Sequence, residues 1–181
     1  MRRVKWLVAA GLAFSAVGCG LSIQRIAPEN PLNGTKVVVQ EFGMSAAHVE
    51  NFDGSTSSFG LEIAQSVAKW LQQAGVQADA VPRGSVPAGV YVVKGEVLHI
   101  DGGSRALRYF ISFGAGATEI AANGQVLGGK GETVGTFSDG RRSGFGMFGG
   151  DADALLHRCI DSLGNDIATM ITTGQYAKNY P

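Results

Sequence analysis

Cysteine is nearly missing from this chain: two in 181 residues. The fold therefore cannot be a small scaffold stapled by disulfides. Net charge is missing too, since fifteen Lys and Arg balance fifteen Asp and Glu. That leaves no basic footprint of the kind nucleic-acid binding needs. Long apolar runs are absent except for residues 6–17, and about a dozen residues is too short to span a bilayer. The three histidines, His48, His99 and His157, have no partner at H-x-x-x-H or similar spacing, so no metal motif is written in the sequence. No G-x-S-x-G elbow and no Walker lysine occurs either. No cofactor, metal or catalytic constellation is expected.

What is present begins at the N-terminus. Arg2, Arg3 and Lys5 precede the apolar run, which ends Ala16-Val17-Gly18-Cys19. This is the layout of a signal peptide, with small residues placed for cleavage after Gly18. The Cys directly after them resembles the lipobox of bacterial lipoproteins. That resemblance implies lipid on the Cys19 thiol and on the new amine, an anchor with more than the two signals that stable attachment requires. Gly20, where Asp would favour the inner membrane, implies outer-membrane sorting, facing the periplasm. An ordinary secretory signal cuts the same bond but leaves Cys at that position only by chance. The leader holds three of the fifteen basic residues and no acidic one, so the chain without it carries a net charge of −3.

The expected organisation is a signal peptide at residues 1–18, a lipidated tether at 19–33, one domain at 34–175 and a tail at 176–181. Residues 35–42 and 90–100 are compact apolar runs that read as strands, and 76–81 alternates as a shorter one. Residues 43–58 are polar and read as a loop ending at Ser57 or Ser58, either able to cap a helix. That helix carries Leu61, Ala64, Val67, Ala68, Leu71 and Ala74 along one side and stops at Gly75. Residues 107–113 and 117–122 look extended. Asn123-Gly124 predicts a hairpin, leading to residues 125–127 and 132–137. Residues 138–150 read as a glycine-rich loop. Asp151 then caps a closing helix to about Thr173, with Gly174 as its stop. Its apolar side includes Leu155, Leu156, Cys159, Ile160 and Leu163, which makes Cys159 a core residue rather than a reactive thiol. The prediction is an α+β fold: a two-layer α/β sandwich with one mixed sheet of about four to five strands and two amphipathic helices on one face.

The segment G-S-R-A-L-R at 103–108, followed by F-G-A-G at 113–116, resembles a family of uncharacterised bacterial lipoproteins classed as a domain of unknown function. The likeness extends over roughly residues 35–173, including the strand around Val93-Lys94-Gly95-Glu96-Val97 and the closing Gly149-Gly150-Asp151. It implies no catalytic residues. Such a tethered domain is also similar, at the level of fold alone, to periplasmic modules of the peptidoglycan-synthase activator, curli-secretion and TolB N-terminal type.

Several residues stand out as binding candidates. Gly114-Ala115-Gly116 lacks the third glycine of a dinucleotide fingerprint, because Glu119 occupies that place; a kink or bulge accounts for it better. Arg105 and Arg108 lie three apart, on opposite faces of a regular strand. Each is a candidate for pairing with an acid such as Glu96 or Glu119, or for recognising an anion. Arg141 and Arg142 adjoin Phe145, Met147 and Phe148 on a glycine backbone, a composition suited to an interface; the alternative, which ranks ahead of it, is that Phe145 or Phe148 tucks under the closing helix as a hydrophobic lid while the arginines face water. The functional expectation is a non-enzymatic lipoprotein, held to the membrane through Cys19, that binds an envelope protein or glycan. A self-assembling lipoprotein of a secretion or envelope complex is the alternative. A hydrolase using His48, Glu50 or Asp53 ranks third. Oligomeric state is not written in the sequence.

Overall fold

The computed structural model describes residues 24–26, 32, 35–84, 86–104, 116–143 and 151–174. The elements in chain order are β1 (Gln24–Ile26), β2 (Lys36–Gln40), β3 (His48–Glu50), α1 (Phe59–Gln73), β4 (Gln77–Val81), β5 (Tyr91–Asp101), β6 (Thr118–Leu127), β7 (Thr133–Ser143) and α2 (Ala152–Thr173). The strands form one mixed sheet in the order β1-β7-β6-β5-β2-β4, with β3 beside β5. The pairs β2–β4, β2–β5 and β3–β5 are parallel; β5–β6, β6–β7 and β1–β7 are antiparallel.

Both helices cover the same face. Ile63, Val67 and Leu71 of α1 share one core with Leu156, Ile160, Leu163 and Ile167 of α2 and with Val37, Val93, Val97, Ile120 and Val126 of the sheet. Each such side chain contributes about 1.5–3 kcal/mol on burial. The two-layer α+β sandwich is thus the observed fold, with five longer strands and two of three residues each. The helices approach closely where Gly164 of α2 meets Ser66 of α1, since a Cβ at 164 would lie 2.2 Å from the Ser66 Oγ.

The helix ends follow the expected chemistry. The Asp151 carboxylate accepts from the Asp153 N–H at 3.3 Å, and Gly174 takes the left-handed conformation (φ 67°) that ends α2. Gly75 is left-handed as well (φ 84°). Ser58 occupies the N-cap of α1 but makes no side-chain cap. The buried side of α1 is rotated from the sequence reading: Phe59 and Ile63 are buried, Leu61 is half-buried and Ala74 is exposed.

Four sequence expectations need correction. Asn123-Gly124 is not a turn but the middle of β6, opposite Glu96 and Gly95 of β5. The actual turn lies at residues 128–132, closed by Gly128 and Gly131. A Cβ on Gly124 would meet the Phe137 ring at 2.3 Å, so the glycine is selected by an aromatic neighbour rather than by a turn. Second, residues 138–143 belong to β7 and not to a loop. Third, the tether region supplies β1, and Leu32 is buried in the core. Within the polar stretch 43–58, β3 forms against β5. The extended segment expected at 107–113 lies outside the described residues, as do the signal peptide and the tail.

Candidate functional site

The face of the sheet opposite the helices carries no second layer among the described residues. Strand alternation decides what stands on it. The β5–β6–β7 register sends Val93, Gly95 and Val97 toward the helices, so Lys94 and Glu96 project the other way, beside Gln125 and Asn123 of β6 and Thr136 and Ser138 of β7. A register shift between Val97 and His99 keeps Ile100 in the core and turns His99 and Asp101 outward. The result is an open groove of about 720 Å³ running across the strands, walled at one end by Gln40, Arg83 and Gly84.

Arg83 builds that end wall. Its guanidinium donates to the Glu96 carboxylate, to the Gly95 carbonyl at 3.0 Å and to the Glu41 carbonyl at 3.3 Å. Gln40 donates to the Gly84 carbonyl at 2.6 Å, fixing the connector after β4. Gly43 pairs with Glu96 as an isolated parallel bridge, and a Cβ there would fall on the Glu96 carboxylate. A side chain at this position would push the Arg83–Glu96 pair aside.

Two groups in this groove are uncommitted. Glu96 Oε2 is buried and accepts no hydrogen bond. Lys94 is half-buried and has no hydrogen-bond or ion-pair partner among the described residues. A buried acceptor without a donor carries a desolvation penalty, which the Arg83 guanidinium on the other oxygen of the same carboxylate offsets. Asn123, Ser138 and Thr136 add neutral donors and acceptors. The groove therefore offers fixed polar contacts to an extended polar partner.

Arg141 and Arg142 are placed differently from the sequence reading. They are neighbours on β7, pointing to opposite faces. Arg141 points to the helix side and forms an ion pair with Asp166 of α2, whose side chain is wholly buried. It anchors a helix and is not presented to a partner. Arg142 is exposed on the open face, 3.9 Å from Glu119. The other candidates, Cys19, Arg105, Arg108, Phe145, Met147 and Phe148, lie outside the described residues.

The histidines fall in two places. His48 and His99 stack at 5.9 Å across the β3–β5 pair, and His48 bonds Glu50 at 2.6 Å on the exposed surface. Asp53 is exposed. No group of three ligand-type side chains converges for a metal among the described residues. His157 joins α2 to Glu62 of α1, with Asp153 at 3.4 Å. The Glu62 hydrogen bond, outweighing partial burial, raises its pKa above 6.5. Asp161 is lowered: burial opposes its ionisation, but Lys69, Trp70 and Ser66 donate to it and prevail. Burial pushes the Cys159 thiol up to about 11, which leaves it protonated and unreactive.

The groove was missed from sequence because its residues come from four strands and a connector. Its only sequence signal was the polar alternation of Lys94 and Glu96 inside an apolar strand.

The chain belongs to the family described as a domain of unknown function (DUF4410), which matches residues 37–146. The match takes in the groove and ends before α2, short of the span to 173 suggested by the sequence. No curated protein matches. Among solved structures, the PelC dodecamer from Paraburkholderia phytofirmans and a point variant of it are similar, each 16% identical with a TM-score of 0.49. The alignments cover 80% of this chain and 94% and 96% of the two PelC chains, respectively.

Proposed function

We propose that this member of the DUF4410 family is a non-enzymatic binding module of the bacterial cell envelope. A lipid on Cys19 holds it to the outer membrane, facing the periplasm, and a polar envelope component lies across the uncovered face of its sheet. The carrying observation is the groove itself, with Lys94 free to take an anionic group. The signal sequence ending at Cys19 supports the location. No helix among the described residues is long and apolar enough to cross a membrane.

The test is photo-crosslinking in intact bacterial cells from a reactive residue at Asn123, an exposed position in the groove. The expected product is an adduct with an envelope protein or glycan that disappears when Lys94→Ala and Glu96→Gln are introduced together. Recovery of self-adducts and lipid alone would sink the proposal. Fractionation of wild type and Cys19→Ala tests the anchor separately: outer-membrane recovery and an acylated mass are both expected to vanish in the variant.

A second reading is assembly of copies through the sheet edge at β4, which pairs only with β2 among the described residues. Gln72 donates to the Ala78 carbonyl at 2.6 Å and so occupies one backbone acceptor of that strand. A monomeric mass at high protein concentration would remove this reading.

A further inference from the structure

We infer that the end of the sheet holding Asp101, Thr118 and Ser143 faces the lipid surface, while the turn at residues 128–132 points away from it. The inference rests on the lipid anchor at Cys19 proposed above and adds which surface meets the membrane. Its basis is the register of β1. Gln24 pairs with Ser138 and Ile26 with Thr136. The strand therefore runs toward the Thr133 end of β7, and its N-terminal end is directed toward the Ser143 end.

Chain length does the rest. Cys19 lies five residues ahead of Gln24, and five residues span at most about 18 Å. Ser138 is midway along β7, five residues or about 17 Å from either end. A segment of that length, extended in the direction of β1, is long enough to reach the level of Ser143. Reaching the other end would first demand a reversal, which takes about two residues of turn. The remaining three span about 10 Å, short of the distance needed. Lipid on Cys19 can thus draw the Ser143 end or the β1 edge against the membrane, but not the 128–132 turn.

The surface at that end is consistent with this placement. Val49, whose β3 partner on β5 is Ile100, is the one large apolar side chain exposed among the described residues, at 40%. Arg142 is exposed at the same end. The groove crosses the sheet midway between its ends, so in this pose it runs parallel to the membrane plane and remains open to the periplasm.

The test uses the full-length lipidated protein, purified from bacterial membranes and reconstituted in phosphatidylethanolamine–phosphatidylglycerol vesicles containing headgroup-spin-labelled lipid. A fluorophore is attached at Val49→Cys or at Lys130→Cys, two positions separated by about 30 Å along the strands. Buried Cys159 stays unlabelled. Fluorescence is expected to be lost at position 49 and retained at position 130. Arg142→Cys and Glu132→Cys repeat the comparison if a first variant does not fold. Equal quenching at the two ends, or stronger quenching at the turn, overturns the orientation while an acylated mass on Cys19 preserves the anchor. A chain that lacks the acyl mass and does not sediment with vesicles overturns both.

Discussion

Arg141 of β7 and Asp166 of α2 form an ion pair that joins the sheet to the closing helix, with the carboxylate entirely buried. A buried pair is weak grounds for net stability, but breaking one leaves a charge without compensation. Arg141→Ala is expected to lower unfolding free energy by about 3–5 kcal/mol. The double replacement Arg141→Met with Asp166→Leu removes both charges and is expected to recover most of that loss. Urea denaturation of the two variants separates the outcomes: a double variant no better than the single one would mean that the pair contributes more than mutual neutralisation.

Gly124 and Phe137 face each other across β6 and β7. A methyl on Gly124 would also crowd the Lys94 carbonyl at 2.4 Å. Gly124→Ala is therefore expected to destabilise by about 1–3 kcal/mol through overpacking. Combined with Phe137→Leu, which withdraws the ring, it is expected to cost less than the sum of the two single effects, a non-zero coupling in a double-mutant cycle. If Asn123-Gly124 were a turn, Gly124→Ala would act independently of residue 137.

Cys159 is buried and its thiol pKa is raised to about 11. At about pH 8 its thiolate is scarce and shielded, so alkylation of the folded protein is expected to be at least about a hundredfold slower than in urea. Mass spectrometry after brief alkylation reads this directly. Rapid modification of the native chain would contradict the burial.

His157 is raised above its ordinary value by the Glu62 carboxylate. A group bound more tightly to its proton in the folded state stabilises fully below its unfolded pKa and loses that contribution as pH rises through the folded value. Wild type is therefore expected to exceed His157→Gln in thermal stability most below about pH 6.5, with the gap narrowing toward about pH 8. The imidazole is 45% exposed, so the gap should be modest and sensitive to salt. A gap that widens with pH would exclude the ion pair as its source.

Elements with a local signature were legible. The apolar run through Val37 and Val39, the long strand around Val93 and Val97, and the helix bearing Leu156, Cys159 and Leu163 announce themselves through periodicity. Asp151 and Gly174 mark the ends of that helix by capping chemistry that needs no tertiary partner. The errors share one cause. Gly124 and Arg141 were read by what glycine and arginine do locally, whereas a ring and a carboxylate from distant elements determine their roles.

The groove shows the same division. Alternation within β5 is enough to send Lys94 and Glu96 to one face. It cannot bring Arg83, Gly43, Asn123 and Ser138 beside them, because those neighbours arrive through pairing between strands far apart in sequence. Sequence alone determined the helices, the main strands and the layered architecture, since periodicity and capping are short-range physics. Tertiary structure decided which face stays uncovered, which arginine turns to the helices and where β1 enters, because register and long-range charge pairing exist only once the sheet has formed.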